Sequence, residues 1–212
     1  MSTDNGLVSA ELMDSLAVTM RRLSDTPMVP AYQGNFSARD RQTGHIVITP
    51  HAYPYEDMTA EDLVILHADG HKLAGRLDPS YDAEVHVTVY AERPDVYSVL
   101  HTEPPYINAF GALGRDIVPV TTTGLKSANG TVPIMPFRKT RGAEFAREML
   151  EIMGDRHGVV WQNHGLLVVA DTVEQAAERS IGIEFNAEVL LLALQLGEPQ
   201  TLEYVDAKMV VA

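Results

Sequence analysis

Cysteine is absent from the chain. That removes disulfides and thiolate ligands together, so a bound metal would have to be held by nitrogen and oxygen donors. Positive charge is scarce: 16 Lys and Arg stand against 29 Asp and Glu, for a formal net charge of −13. Such a chain repels polyanions at long range, which argues against nucleic acid as a partner. No run approaches the roughly 18 apolar residues of a membrane-spanning helix, so no membrane partner is expected. The N-terminal MSTDNGLVSAEL carries acids where a signal peptide would carry a basic region and an apolar core. The expected location is therefore the cytoplasm. Internal repeats, low-complexity tracts and Gly/Ser/Pro-rich linkers are also missing, and nothing divides residues 1–212, so one domain is expected.

What is present is an ordinary folding composition, 45% hydrophobic and 21% charged. Apolar spacing behind Ser9 predicts an opening helix over Val8 to Leu23. Residues Ala31 to Thr49 break into short β runs, with Gly34-Asn35 and Thr43-Gly44 as turn signals and His45 to Ile48 as a compact strand. Leu63 to Leu66 forms a further strand, and Asp69-Gly70 turns it into a hairpin. A helix after Pro79 carries Val85, His86, Val89 and Tyr90 and ends before Pro94. The buried strand Val96 to Leu100 follows, and Pro104-Pro105 opens a helix through Ile107, Phe110 and Leu113. Thr140 to Met153 reads as an amphipathic helix, and Gly158 to Trp161 and Leu166 to Ala170 as strands. A long helix over Thr172 to Leu196 is apolar nearly all round near its end, as though covered by another subunit. The sum is an α/β chain in α+β-like layers, a sheet covered by helices.

The chemistry gathers at two strand ends. In extended backbone, residues i and i+2 share a side, so His101 and Glu103, directly after the strand Val96 to Leu100, can reach one ion. His164 occupies a similar break between two later strands, followed by Gly165, which permits a tight turn. Two imidazoles and one carboxylate leave coordination positions open for water or substrate, as a catalytic metal requires.

Several runs carry a resemblance: Gly34-Asn35-Phe36-Ser37-Ala38-Arg39, Ile48-Thr49-Pro50, Met58 to Leu63, Pro79-Ser80, His86 with Tyr90, Arg93-Pro94-Asp95-Val96, His101-Thr102 and Asn163-His164-Gly165-Leu166. In order and spacing the chain resembles the class II aldolase/adducin family over about residues 10 to 197. The resemblance implies a central, mainly antiparallel sheet flanked by helices, and a homotetramer with active sites between neighbouring subunits. It also implies a divalent metal on His101, Glu103 and His164. Where relatives carry His-x-His this chain carries His-x-Glu, a harder and more anionic donor set that brings manganese, iron and magnesium beside zinc.

The family's acid/base Glu falls on Asp82, with nearby Glu84 as the alternative, and Asp82 would also suit a helix N-cap. Relatives acting on sugar phosphates cradle the phosphate with groups that map to Asn35, Thr49 and Ser80. Here a Thr-Pro-Ser-Gly turn has become Thr49-Pro50-His51-Ala52 and a second serine is Tyr81. The expected loss of room for a phosphate favours a planar carboxylate or aromatic substrate lined by Arg39, His51 and Tyr81. The implied activity is a metal-dependent lyase acting through a metal-stabilised enolate, decarboxylating a hydroxy-aromatic or keto acid. Aldol cleavage of a sugar phosphate or hydroxy-keto acid, a non-haem iron oxygenase and a dehydratase stand as the alternatives.

Overall fold

The computed structural model describes residues 6–205 and 208–211. The first five residues, part of the N-terminal run read above, lie outside that range. Among the described residues no helix is long and apolar enough to cross a membrane.

The chain opens with α1 (Ala10–Ser24), whose start is fixed by the Ser9 hydroxyl accepting the Leu12 N–H. Four short strands follow: β1 (Asn35–Arg39), β2 (Ile46–Ile48), β3 (Val64–Leu66) and β4 (Lys72–Ala74). Next come α2 (Ala83–Glu92), β5 (Ser98–Thr102), α3 (Pro105–Leu113), α4 (Thr122–Ala128) and β6 (Ile134–Met135). The remaining elements are α5 (Ala143–Met153), β7 (Gly158–Trp161), β8 (Gly165–Ala170), α6 (Val173–Leu196), and a hairpin of β9 (Leu202–Val205) and β10 (Lys208–Val211). One sheet runs in the order β4-β3-β2-β1-β5-β8-β7-β6. Its pairs are antiparallel except β6 with β7. The expected central, mainly antiparallel sheet is thus the observed one.

Strand alternation builds two cores, because successive side chains leave opposite faces of the sheet. Phe36, Leu100, Leu166 and Val168 point to the side of α1, α3 and α6. Val99, Val159, Trp161, Leu167 and Val169 point to the side of α2 and α5. By the same alternation His101 belongs to the α2/α5 side, whereas Thr102 faces α6, where its hydroxyl meets that of Ser180 at 2.8 Å. Strand β5 runs two residues past the expected end at Leu100, so His101 is a strand residue and Glu103 the first one beyond it. The difference follows from pairing: His101 and Thr102 face Leu167 and Leu166 across β8, which extends the ladder into the polar residues.

Two further elements, α4 and the β9–β10 hairpin, carry no strong periodic signal. Asn186 on α6 organises the first of them. Its Oδ1 accepts from the backbone N–H groups of Val120 and Thr121 and from the Thr121 hydroxyl at 2.9 to 3.0 Å. Its amide donates to the Val118 carbonyl at 3.0 Å. A Cβ at Gly124 would overlap the Asn186 side chain, so this helix can approach α6 only with glycine there. On α6 itself Ile183, Ala187 and Leu190 are buried, while Leu192 and Leu196 stand 52% and 92% exposed on the side expected to meet another subunit.

Replacing Asn186 by Ala strands two backbone N–H groups and a carbonyl in a half-buried setting. The expected loss is about 2–3 kcal/mol in urea unfolding; a loss below about 0.5 kcal/mol would show that water replaces these bonds.

Candidate active site

Antiparallel pairing places β5 between β1 and β8, with Asn35 opposite His101 on one side and Leu167 on the other. The backbones approach closely at this level. Gly34, at φ +86, sits where a Cβ would strike the His101 carbonyl. At Gly165 a Cβ would meet the Thr102 carbonyl, the His101 ring at 2.8 Å and the Glu103 side chain at 3.0 Å. The tight turn expected at Gly165 is in fact made by Asn163, whose φ is +59. Gly165 is required for clearance instead.

The His101 ring is fully buried and stacks on Trp161 at 4.4 Å and on His164 at 4.9 Å, nearly parallel to both. Its Nδ1–H donates to the Leu166 carbonyl at 3.0 Å, which fixes the tautomer and leaves a lone pair on Nε2. That Nε2, and the Nε2 of His164, are buried without any hydrogen-bond partner among the described residues. Both face Glu103 Oε1, at 3.8 and 3.9 Å. These spacings exceed a hydrogen bond and stay below twice the roughly 2.1 Å between such donors and a divalent ion. A metal-ligating imidazole usually donates its other nitrogen to a carbonyl, as His101 does. The donor set therefore fits a divalent ion. His164 is held mostly neutral, its pKa pushed down to about 4 first by burial and then by nearby His101 and Arg141.

Asp82 lies with a carboxylate oxygen within 4.8 Å of the same two imidazoles. It precedes α2 but makes no capping bond there. Its oxygens are taken by Arg141 Nε at 2.7 Å and Asn35 Nδ2 at 2.9 Å. Burial alone would raise its pKa, yet His101, Arg141 and the Asn35 amide outweigh that and hold the carboxyl below its ordinary value. Asp82 is thus an engaged carboxylate, whereas the Glu103 carboxylate accepts no hydrogen bond among the described residues. Glu84 turns away from the pocket, toward the Ala143 N–H at 3.3 Å.

Behind Asp82 runs a buried polar chain whose direction can be deduced. The Asn35 amide must donate to the carboxylate, so its Oδ1 accepts from His86 Nε2–H at 2.6 Å. Neutral His86 then accepts at Nδ1 from Ser37 at 2.7 Å, and Ser37 accepts from the Tyr90 hydroxyl at 2.8 Å.

The pocket in front of these groups holds about 200 Å³. His51 and Tyr81 form one wall, packed edge to face at 4.0 Å, and Asn35 and Ser80 line it too. Two expected lining residues are elsewhere. Arg39 donates to the Tyr90, Pro94 and Val96 carbonyls and lies over the Tyr97 ring, tying the end of α2 to the sheet. Thr49 is fully buried and spends its hydroxyl on the Phe36 N–H. The turn after Thr49 keeps the backbone that a glycine would take, because Ala52 adopts φ +49. The left-handed backbone that glycine favours is present there with bulkier side chains on it.

Sequence reasoning missed Arg141, the one Lys or Arg lining the pocket among the described residues, and Tyr32 and Tyr55 beside it. A signal existed: Arg138, Lys139 and Arg141 crowd into four positions of a strongly acidic chain.

A profile of the family described as Class II Aldolase and Adducin N-terminal domain matches residues 14–191. The chain belongs to this family. Over 169 residues it is 31% identical to a 5-deoxy-D-ribulose 1-phosphate aldolase of Bacillus thuringiensis, covering 80% of this chain and 79% of that one. Over 203 residues it is 29% identical to a 3,4-dihydroxyphthalate decarboxylase of Arthrobacter keyseri, covering 90% and 82%. The fold matches a solved L-fuculose 1-phosphate aldolase with a TM-score of 0.87 at 23% identity, covering 95% of this chain and 94% of that chain.

Burial drives the His86 pKa down to about 3, from 6.5 in the unfolded chain. The unfolded state therefore takes up a proton that the folded state refuses, and stability falls as pH drops through that interval. His86→Gln should remove about 1.4 kcal/mol per pH unit from the slope of metal-free unfolding free energy between pH 6.5 and 3. An unchanged slope would mean that His86 is already protonated in the fold.

Proposed function

We propose that this chain is a divalent-metal-dependent carbon–carbon lyase that decarboxylates a small hydroxy-aromatic or keto acid, with His101, Glu103 and His164 holding the metal. The observation that carries the reading is the pair of partnerless Nε2 atoms facing one carboxylate oxygen. Leaving two buried imidazole nitrogens unpaired costs stability unless a ligand takes their lone pairs. A bound zinc, manganese or iron ion would supply positive charge to adjacent substrate oxygens as the carbon–carbon bond breaks. Magnesium is less suited, because it prefers oxygen donors to imidazole.

The protein's own groups divide the remaining work. Asp82, held as a carboxylate, takes the proton of a substrate hydroxyl and returns one to the carbon that keeps the electron pair. Asn35 and Ser80 fix Asp82 in place: the Asn35 amide donates to its carboxylate, and the Ser80 hydroxyl accepts its backbone N–H at 3.3 Å. Arg141 offers a planar fork that suits a carboxylate, and His51 with Tyr81 offers an aromatic wall. The Arthrobacter relative, named for decarboxylation of a dihydroxylated aromatic acid, supports this substrate class. The Bacillus relative supports the second reading, retro-aldol cleavage with release of an aldehyde, which needs the same electronic arrangement. We further take the exposed end of α6 as a subunit contact in a cytoplasmic homotetramer with sites between neighbours; a monomer in light scattering would overturn the assembly.

The test is a screen of hydroxy-aromatic acids, keto acids and sugar phosphates for carbon dioxide or aldehyde release. Carbon dioxide from an aromatic or keto acid is the expected outcome, and aldehyde from a sugar phosphate would reverse the order of the two readings. Glu103→Ala should lose the metal on dialysis; full retention would remove Glu103 from the ligand set. Asp82→Asn should keep the metal and lower kcat by about 10²- to 10⁴-fold, and normal turnover would pass the proton role to another group. Arg141→Gln should raise KM for carboxylate substrates more than it lowers kcat.

A further inference from the structure

The hairpin joining β3 to β4, at the edge of the sheet, gathers His67, Asp69 and His71. Its turn is closed by Gly70 N–H to the His67 carbonyl and by His67 N–H to the His71 carbonyl, both at 2.9 Å, with Gly70 at φ +95. His67 and His71 are therefore a directly facing pair, and their rings stack at 4.7 Å with 27° between planes. Asp69 folds back over them: its Oδ1 lies 3.0 Å from His67 Nδ1 and 2.6 Å from His71 Nδ1.

These contacts conflict as hydrogen bonds. The Asp69 N–H points at His67 Nδ1 at 3.3 Å, which requires a lone pair on that nitrogen. The same lone pair then confronts a carboxylate oxygen at 3.0 Å. If His67 instead carries a proton on Nδ1, the Asp69 amide loses its acceptor. A cation bound by the carboxylate and the imidazoles relieves the repulsion between lone pair and carboxylate, and the Asp69 N–H of this exposed turn is then left to water. The donor atoms already lie within 4.8 Å of one another, so little rearrangement is needed.

We propose that His67, Asp69 and His71 form a second divalent-metal site, of the borderline class to which zinc belongs, separate from the pocket around His101. The turn fixes the two imidazoles before any ion arrives, and the Oδ1 of Asp69, held by the His71 N–H at 3.1 Å, completes a three-donor face. The remaining positions are open to water, since the side chains of His67, Asp69 and His71 are 43%, 63% and 58% exposed. The donor set is two imidazoles and one carboxylate, with no role in the lyase chemistry proposed above.

The test is zinc titration of the chelator-stripped full chain by calorimetry, with metal content after dialysis as a second readout. Wild type should take up two equivalents and the His67→Ala/His71→Ala variant one, with the remaining equivalent lost only on mutating His101 and His164. Asp69→Asn keeps an oxygen for the His71 N–H but drops the charge, and should weaken the hairpin equivalent by about tenfold or more. Equal stoichiometry in wild type and the His67/His71 variant, or unchanged affinity in Asp69→Asn, would overturn the proposal. Should the pocket fail to bind metal, wild type would show a single equivalent that the His67/His71 variant abolishes, which separates that failure from this one.

Discussion

Close backbone pairing of β5 with β1 and β8 is the constraint on which the site depends. It sets His101 between two neighbours so near that only glycine fits at positions 34 and 165. The proximity does chemical work. The Leu166 carbonyl of β8 comes within reach of His101 Nδ1 and decides which ring nitrogen is left bare. It also brings His164, on the turn before β8, into the same stack as His101 and Trp161. A substitution that pushed the strands apart would therefore misplace the donor set before it disturbed either hydrophobic core.

The two faces of the sheet have separate duties. The α1/α3/α6 face holds the larger core and a few buried polar anchors such as Asn186 and Ser180. On the α2/α5 face, the loop before α2 delivers Asp82 and the loop before α5 delivers Arg141. One carboxylate and one guanidinium, carried by two different segments, thus close on each other across the mouth of the site. In a protein of net charge −13, Arg141 is a local exception, a cation set at the pocket and paired there with Asp82.

Much of this was legible in the residues themselves. Short apolar runs such as β5, β7 and β8, the capped start of α1 behind Ser9 and the long breaker-free span of α6 announce themselves because a local signal and a buried face agree. The convergence of His101, Glu103 and His164, which we propose as metal ligands, was readable for the first two because a strand end imposes their side. Helix α4 was not, since its seven residues are held by Asn186, some sixty positions away, and not by their own periodicity. Arg39 misled for the opposite reason: it stands in a motif, yet four residues along the strand from Asn35 its guanidinium goes to three carbonyls at the end of α2 and in the loop after it. Ala52 misled because a non-glycine residue accepts a left-handed backbone there, against its preference. For Arg141 the sequence offers only the local crowding of basic residues, and which of them enters the pocket depends on Asp82, 59 residues away.

The chain from Tyr90 through Ser37, His86 and Asn35 to Asp82 has one consequence for traffic. Every donor along it points the same way, and one link is a carboxamide, which neither gains nor gives up a hydrogen ion under ordinary conditions. It therefore behaves as an insulator that props Asp82 from behind. Any hydrogen ion that reaches or leaves that acid must pass through its open side, by way of the bound reactant or the water that precedes it.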